Sequence, residues 1–202
     1  GDWQVLVTLK DMGGVAKMVE VAPPGLVAVA REKYDSLPLY DSKAAGWTKG
    51  AQLRGVQAQE TTTPHLFDPE SLVLRAGPEA DAPAFRRGED YEADATWGTF
   101  GRCTNSAIKE GQPVFASYRH AQLRLDAVVL TRKGQIELRQ GKPRSAAPLP
   151  PTLEKGERRL ANIWLPGRVD RLAPEHLFPV LEAAYPEPRK SKPTPAEQLC
   201  PK

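Results

Sequence analysis

The sequence predicts a mostly β fold, an antiparallel β-sandwich with a short helix near its C-terminal end, and three observations carry that expectation. Short segments alternate apolar and polar residues at period two, which puts one face of a strand on a core. Turn formers punctuate them: 20 prolines and 16 glycines stand among 202 residues, with proline about twice its usual ~5% share, favouring many short elements over long helices. At 40% hydrophobic and 26% charged content, the chain can bury one ordinary core, or one core with a small satellite.

The elements follow in order. Residues 3–9 alternate as a strand, and residues 15–21 form its hairpin partner after the turn Asp11-Met-Gly-Gly. Residues 26–30 are a further strand or short apolar crossing. Residues 31–50 are mixed and turn-rich, a long surface excursion pinned by Tyr34, Pro38, Tyr40 and Trp47. Strands are expected over 52–63 and 71–75, with a break at the proline and acidic cluster 78–83, which reads as a loop or a sub-boundary within one domain spanning 1–185.

The clearest alternation lies in residues 90–102, 113–119, 123–130 and 135–139, a β-meander. In it Leu123, Leu125, Ala127 and Val129 form the apolar face of one strand, while Arg124, Asp126 and Val128 point the other way. Thr131-Arg-Lys-Gly is its tight turn, with Gly134 suited to positive φ. Residues 159–166 are expected as a closing strand. Helical spacing of Leu177, Val180, Leu181 and Ala184 predicts a helix over 174–185, started by Pro174 and interrupted at Pro179. Residues 186–202 alternate proline and lysine and read as an extended linker toward a further domain.

Composition narrows function. The net charge of +3 and pI near 8.9 come from cations scattered among nearly as many carboxylates, without the clustered cations and interleaved aromatics of a nucleic-acid groove. No apolar run approaches the ~18 residues of a membrane span, and the first residues do not read as a signal peptide. Cys103 and Cys200 lie far apart and lack metal-ligand spacing; they are free thiols or, the less favoured reading, a disulfide.

No catalytic constellation assembles in the sequence. No serine lies in a Gly-x-Ser-x-Gly setting, no Gly-Asp-Ser block occurs, and His65, His120 and His176 are isolated from one another and from cysteine. Gly98-Thr-Phe-Gly-Arg-Cys lacks the spacing of a phosphate loop. No metal or cofactor site is expected. Asp90, Glu92 and Asp94 alternate but depart from the calcium-loop pattern, so an exposed strand face is the plainer reading.

Six residues are candidate ligand contacts. Arg124 and Asp126 flank Leu125 and could clamp a ligand, although a cross-strand ion pair on a solvated face is the plainer reading. Tyr91, Trp97, Tyr118 and Trp164 are the aromatics that could stack on sugar rings, and Trp97 ranks first because Gly98 beside it would leave the indole uncovered.

A resemblance adds a specific expectation. Arg87-Gly-Glu-Asp-Tyr-Glu-Ala-Asp-Ala-Thr-Trp-Gly-Thr-Phe-Gly-Arg, Arg124-Leu-Asp-Ala-Val-Val-Leu, Gly156-Glu-Arg-Arg-Leu-Ala-Asn-Ile-Trp-Leu-Pro-Gly-Arg and Leu177-Phe-Pro-Val-Leu-Glu-Ala-Ala-Tyr-Pro-Glu-Pro resemble the region preceding the catalytic domain in a group of bacterial, planctomycete-like SGNH (GDSL-type) hydrolases. The likeness runs from about Val5 to the end, where Ala196-Glu-Gln-Leu-Cys-Pro-Lys resembles the stretch before the Gly-Asp-Ser block. It implies a non-catalytic accessory module whose partner is the C-terminal SGNH domain of the same polypeptide. It further implies a carbohydrate esterase as the parent activity, glycan binding, cleft shielding or assembly as the role, and a secreted or periplasmic location. A second resemblance, of the meander from Arg124 to Pro143 and the proline-rich bridge after it, is to phage tail and baseplate proteins, where the part would be structural.

Overall fold

The computed structural model describes residues 2–9, 13–57 and 63–180. The strands named among them are β1 (Gln4–Leu9), β2 (Val15–Glu20), β3 (Leu26–Tyr34), β4 (Ala51–Gln52), β5 (Phe67–Arg75), β6 (Tyr91–Ala93), β7 (Thr99–Arg102), β8 (Val114–Ala121), β9 (Arg124–Leu130), β10 (Ile136–Arg139), β11 (Arg158–Leu165) and β12 (Leu177–Pro179). They pair antiparallel into sheets ordered β1-β2, β10-β9-β11-β12, β3-β8-β5 and β4-β7-β6. The fold is mostly β, as its alternation predicts.

The larger core lies between β3-β8-β5 and β4-β7-β6. In β8 alternation is strict: Val114, Ala116, Tyr118 and His120 are buried, while Phe115, Ser117 and Arg119 are more open. They meet Phe67, Leu72 and Leu74 of β5, Tyr34 of β3, Tyr91 and Ala93 of β6, and Phe100 of β7. Each large side chain buried there contributes about 1.5–3 kcal/mol. Residues on both sides of the 78–83 cluster enter this core. That cluster is a loop closed by Ala76 N–H donating to Pro83 O at 3.0 Å.

The second core lies where the β1-β2 hairpin packs on the other sheet, gathering Val19, Val21, Val128, Ile136, Ile163 and Leu165. This corrects the solvated face expected for β9. Arg124, Asp126 and Val128 are all buried, as are Ala127 and Val129, so the strand is covered on both sides. The turn beyond it forms as its glycine predicts, with Gly134 at φ 74 and Thr131 N–H donating to Gln135 O at 2.8 Å.

The C-terminal helix also needs correction. Residues 174–176 form a single 3-10 turn and Leu177–Pro179 pairs with β11 as β12. Pro174 and Pro179 lack amide donors, and Leu177 and Phe178 instead find partners on Ile163 and Asn162. The rest of that expected helix, the linker 186–202 and Cys200 lie outside the described residues. Of the expected strand 52–63, residues 58–62 also lie outside; the rest is corrected, since β4 covers only Ala51–Gln52 and residues 54–56 form a turn.

One irregularity positions side chains. The register of β3 on β8 shifts between Val29 and Glu32, and Arg31 in that bulge has φ 56. Because strand side chains alternate, one extra residue turns everything after it to the other face. Glu32 therefore pairs with inward-facing Ala116 and points into the sandwich, where regular pairing would have aimed it outward.

Candidate functional site

Two constellations stand out, one at the surface and one beneath it. The surface site begins with the β6-β7 connection. Asp94 accepts the N–H groups of Thr96 and Trp97 at 2.9 Å each, and its carbonyl accepts Gly98 N–H at 3.0 Å. An aspartate side chain commonly organises a turn this way. Gly98 completes the turn at φ 65, where an added Cβ would lie 2.7 Å from Val56.

Residues 41–49 form a compact loop over this turn, closed by Asp41 N–H donating to Lys49 O at 2.9 Å. Closely spaced ends and internal bonds make it an Ω-type loop, a form often used for recognition. Thr99 Oγ1 donates to Gly46 O at 2.8 Å, and Lys49 Nζ meets Asp94 Oδ2 at 2.6 Å. Gly46 lies directly on the Trp97 indole, where any Cβ would overlap the ring. The loop thereby sets Trp47 against Trp97, edge to face, with ring centroids 5.4 Å apart and planes at 79°. Trp47 stays 57% exposed. Edge-to-face indoles are a favourable pairing, and here they make a two-ring shelf at the surface.

The shelf has a polar rim. Partial burial alone would raise the Asp94 carboxyl, but the hydrogen bond from Lys49 and the Trp97 and Thr96 amides outweigh it and hold the group below its ordinary value. Lys49 is held above its ordinary value by its hydrogen bond to Asp94. The pair is charged on both sides and neutral in sum. Tyr40 borders it, its phenol pushed upward by partial burial and kept protonated at neutral pH.

The inner constellation centres on Glu32. Its Oε2 accepts hydrogen bonds from the Tyr34 hydroxyl and from the Tyr118 hydroxyl, the latter at 3.1 Å. Arg54 N–H lies 3.3 Å from the same oxygen, and Gly55 N–H donates to Tyr118 Oη at 2.8 Å. The Arg54 guanidinium covers the Tyr34 ring 4.7 Å from its centroid. Burial, with Glu32 adding to it, pushes both phenols well above the usual tyrosine range, so they are donors. The segment around residues 53–56 is thus tied to β3 and β8 by a satisfied polar network.

The sequence candidates divide accordingly. Trp97 is on the shelf. Gly98, however, does not uncover it: Gly98 serves the turn, and Gly46 lies close against the indole. Tyr91 is corrected to a core residue, buried and donating its hydroxyl to Leu72 O at 3.1 Å. Tyr118 is likewise buried, bound to Glu32 and Gly55. Trp164 packs half-buried against the larger core. Tyr91 and Tyr118, 2% exposed each, offer no open ring face.

Arg124 and Asp126 form neither a surface clamp nor a solvated pair. Both are buried, with Nε–Oδ1 at 2.8 Å and Nη2–Oδ2 at 2.9 Å in a bidentate pair. Arg124 also donates to Ala22 O, and Asp126 accepts Gly141 N–H at 2.8 Å. The pair therefore fastens the chain leaving β2, and the chain at Gly141 just past β10, to β9.

Asp90, unlike Asp94 on the rim of the shelf, is structural. Asp90 is buried and held below its ordinary value by Arg86 N–H and Ala107 N–H. Among the described residues no group of three or more His, Cys, Asp or Glu side chains is arranged to hold a metal ion.

Sequence reading missed Trp47 as a site residue and missed Glu32 altogether. A hint for Trp47 was present in Gly46 beside it, since a glycine in an aromatic loop marks close approach. Nothing local marks Glu32, whose direction depends on the bulge. Comparison with family models, with curated proteins and with solved structures gives no match for this chain.

Proposed function

We propose that the chain is a non-catalytic accessory module that holds glycan on the Trp47–Trp97 shelf, serving an SGNH-type hydrolase, and a carbohydrate esterase in particular. The observation that carries the binding reading is the edge-to-face pair of indoles, in which Trp47, 57% exposed, stands on a loop held by the Lys49–Asp94 ion pair and by hydrogen bonds within the loop and to Thr99. An indole exposed on a fixed frame presents a flat apolar surface to the C–H face of a pyranose, with little ordering left to lose on binding. The Lys49–Asp94 pair and the Tyr40 hydroxyl supply donors and acceptors for sugar hydroxyls at its edge. The rim is neutral in sum, which suits an uncharged sugar. The link to an SGNH catalytic domain rests on the resemblance of the four quoted segments.

A glycan array followed by calorimetry on the full chain tests this reading. Binding to at least one neutral polysaccharide is expected, weakened about tenfold or more by Trp47→Ala, as for the central aromatic of a binding site. Because Trp47 is 57% exposed and its main ring contact is Trp97, that variant keeps its fold and loses only the ~0.5–1.5 kcal/mol of the indole pair. Binding that survives both Trp47→Ala and Trp97→Ala would place the site elsewhere and overturn the proposal.

A further inference from the structure

Strand edges expose unpaired backbone groups, and proteins guard them with charge, proline or a covering segment. Several edges here are guarded. Beside β5, Phe85 N–H donates to Leu74 O at 2.9 Å, and beside β6 the Arg87 guanidinium donates to Ala93 O at 3.2 Å. The Lys17 ammonium meets β10 at Ile136 O, 2.8 Å away. The first half of β3 is different. It is an edge strand whose residues 26–30 read Leu-Val-Ala-Val-Ala, without charge or proline. Among the described residues only β8 bonds their backbone, and Leu26 and Val27 are 45% and 39% exposed.

We infer that this edge pairs antiparallel with the same edge of a second copy of the chain, about a two-fold axis through Ala28. The segment is self-complementary in that arrangement. Ala28 meets Ala28, Val27 meets Val29, and Leu26 meets Ala30, so no two of the largest side chains oppose one another. Pairing stops at matching points at both ends. Pro24 precedes the segment, and the bulge with Arg31 at φ 56 follows it. Across the axis Gly25 faces Arg31 and Pro24 faces Glu32, so no like charges are opposed. A two-fold contact of one patch with itself closes at two copies. The joined sheet runs β5-β8-β3-β3-β8-β5, and Val27 and Val29, which share the inward side of β3 with Tyr118 and His120 opposite them, extend the larger core across the junction. Five paired residues make less than a standard interface of ~1,600 Å². A reversible monomer–dimer equilibrium is therefore the form expected.

Sedimentation of the full chain over a wide concentration range tests it. The mass should rise from 22.2 kDa toward twice that value. Ala28 is exposed beside Arg119 on the outer face, so Ala28→Lys or Ala28→Glu places two like charges directly opposite and should hold each variant monomeric. An equimolar mixture of the two should dimerise again. A wild-type chain monomeric at all concentrations, a trimer, or a dimer indifferent to both substitutions would overturn the inference. If both variants unfold, hydrogen exchange on the wild type decides. Protection of amides 26–30 that grows with concentration is expected, and constant protection refutes the pairing.

Discussion

The Tyr118 hydroxyl on β8 lies 3.1 Å from Glu32 Oε2 on β3, and the two meet because a one-residue bulge turns Glu32 inward. Tyr34 donates to the same oxygen, and the amides of Arg54 and Gly55 join them. Glu32 thus gathers groups from two strands and a turn. Removing it strands the buried Tyr118 phenol, whereas the Tyr34 hydroxyl keeps Gln52 O at 3.1 Å as an acceptor. Glu32→Leu should cost about 1–3 kcal/mol, the usual penalty for an orphaned buried donor, while Glu32→Gln, which keeps an acceptor, should cost less. Chemical denaturation of both variants measures this, and equal losses would mean that acceptor chemistry is not what matters there.

The buried Arg124–Asp126 pair offers a sharper contrast. Asp126→Leu alone leaves a guanidinium without its carboxylate in the interior and should cost about 3–5 kcal/mol. The double variant Arg124→Met with Asp126→Leu removes both charges and should recover much of that loss. A double-mutant cycle in urea reads the coupling. Additive losses would show that the two charges do not depend on one another.

Loop 41–49 should respond to acid through Asp94. Its folded-state value is lowered from 3.8, so the stability it contributes is complete above about pH 3.8 and is lost as pH falls through the lower folded value. Tryptophan fluorescence should therefore report loosening of the Trp47–Trp97 pair only below that point. Asp94→Asn should abolish this acid step, and a transition unchanged in that variant would assign it to another carboxylate.

Gly46→Ala tests how the shelf is assembled. Because a Cβ there overlaps the Trp97 ring, the loop must lift away and separate the indoles. Near-ultraviolet circular dichroism should lose the signal of the coupled pair, and any glycan affinity should fall as it does in Trp47→Ala. An unaltered spectrum would show that the loop absorbs the methyl group without moving.

The limits of sequence reading follow from where each property originates. The strands around residues 4–9, 15–20, 114–121, 124–130 and 136–139 are visible as local alternation, and the Gly134 turn as local backbone freedom. Trp97 was visible as a candidate because a tryptophan beside a glycine in a turn is a local pattern. Its partner Trp47 lies fifty residues earlier and reaches it through Gly46, Thr99 and the Lys49–Asp94 pair, contacts that no spacing in the chain announces.

The sequence by itself determined the mostly β class, the order of most strands and the turns that separate them, since period and turn chemistry act over a few residues. Only the tertiary structure decided that Arg124 and Asp126 are buried, that Tyr91 and Tyr118 belong to the core, that β12 replaces the start of a helix, and that Trp47 joins Trp97. Those outcomes depend on what covers each face. A strand's pattern shows that two faces exist, but whether the second meets water, a hairpin or another sheet is set by segments far away in the chain.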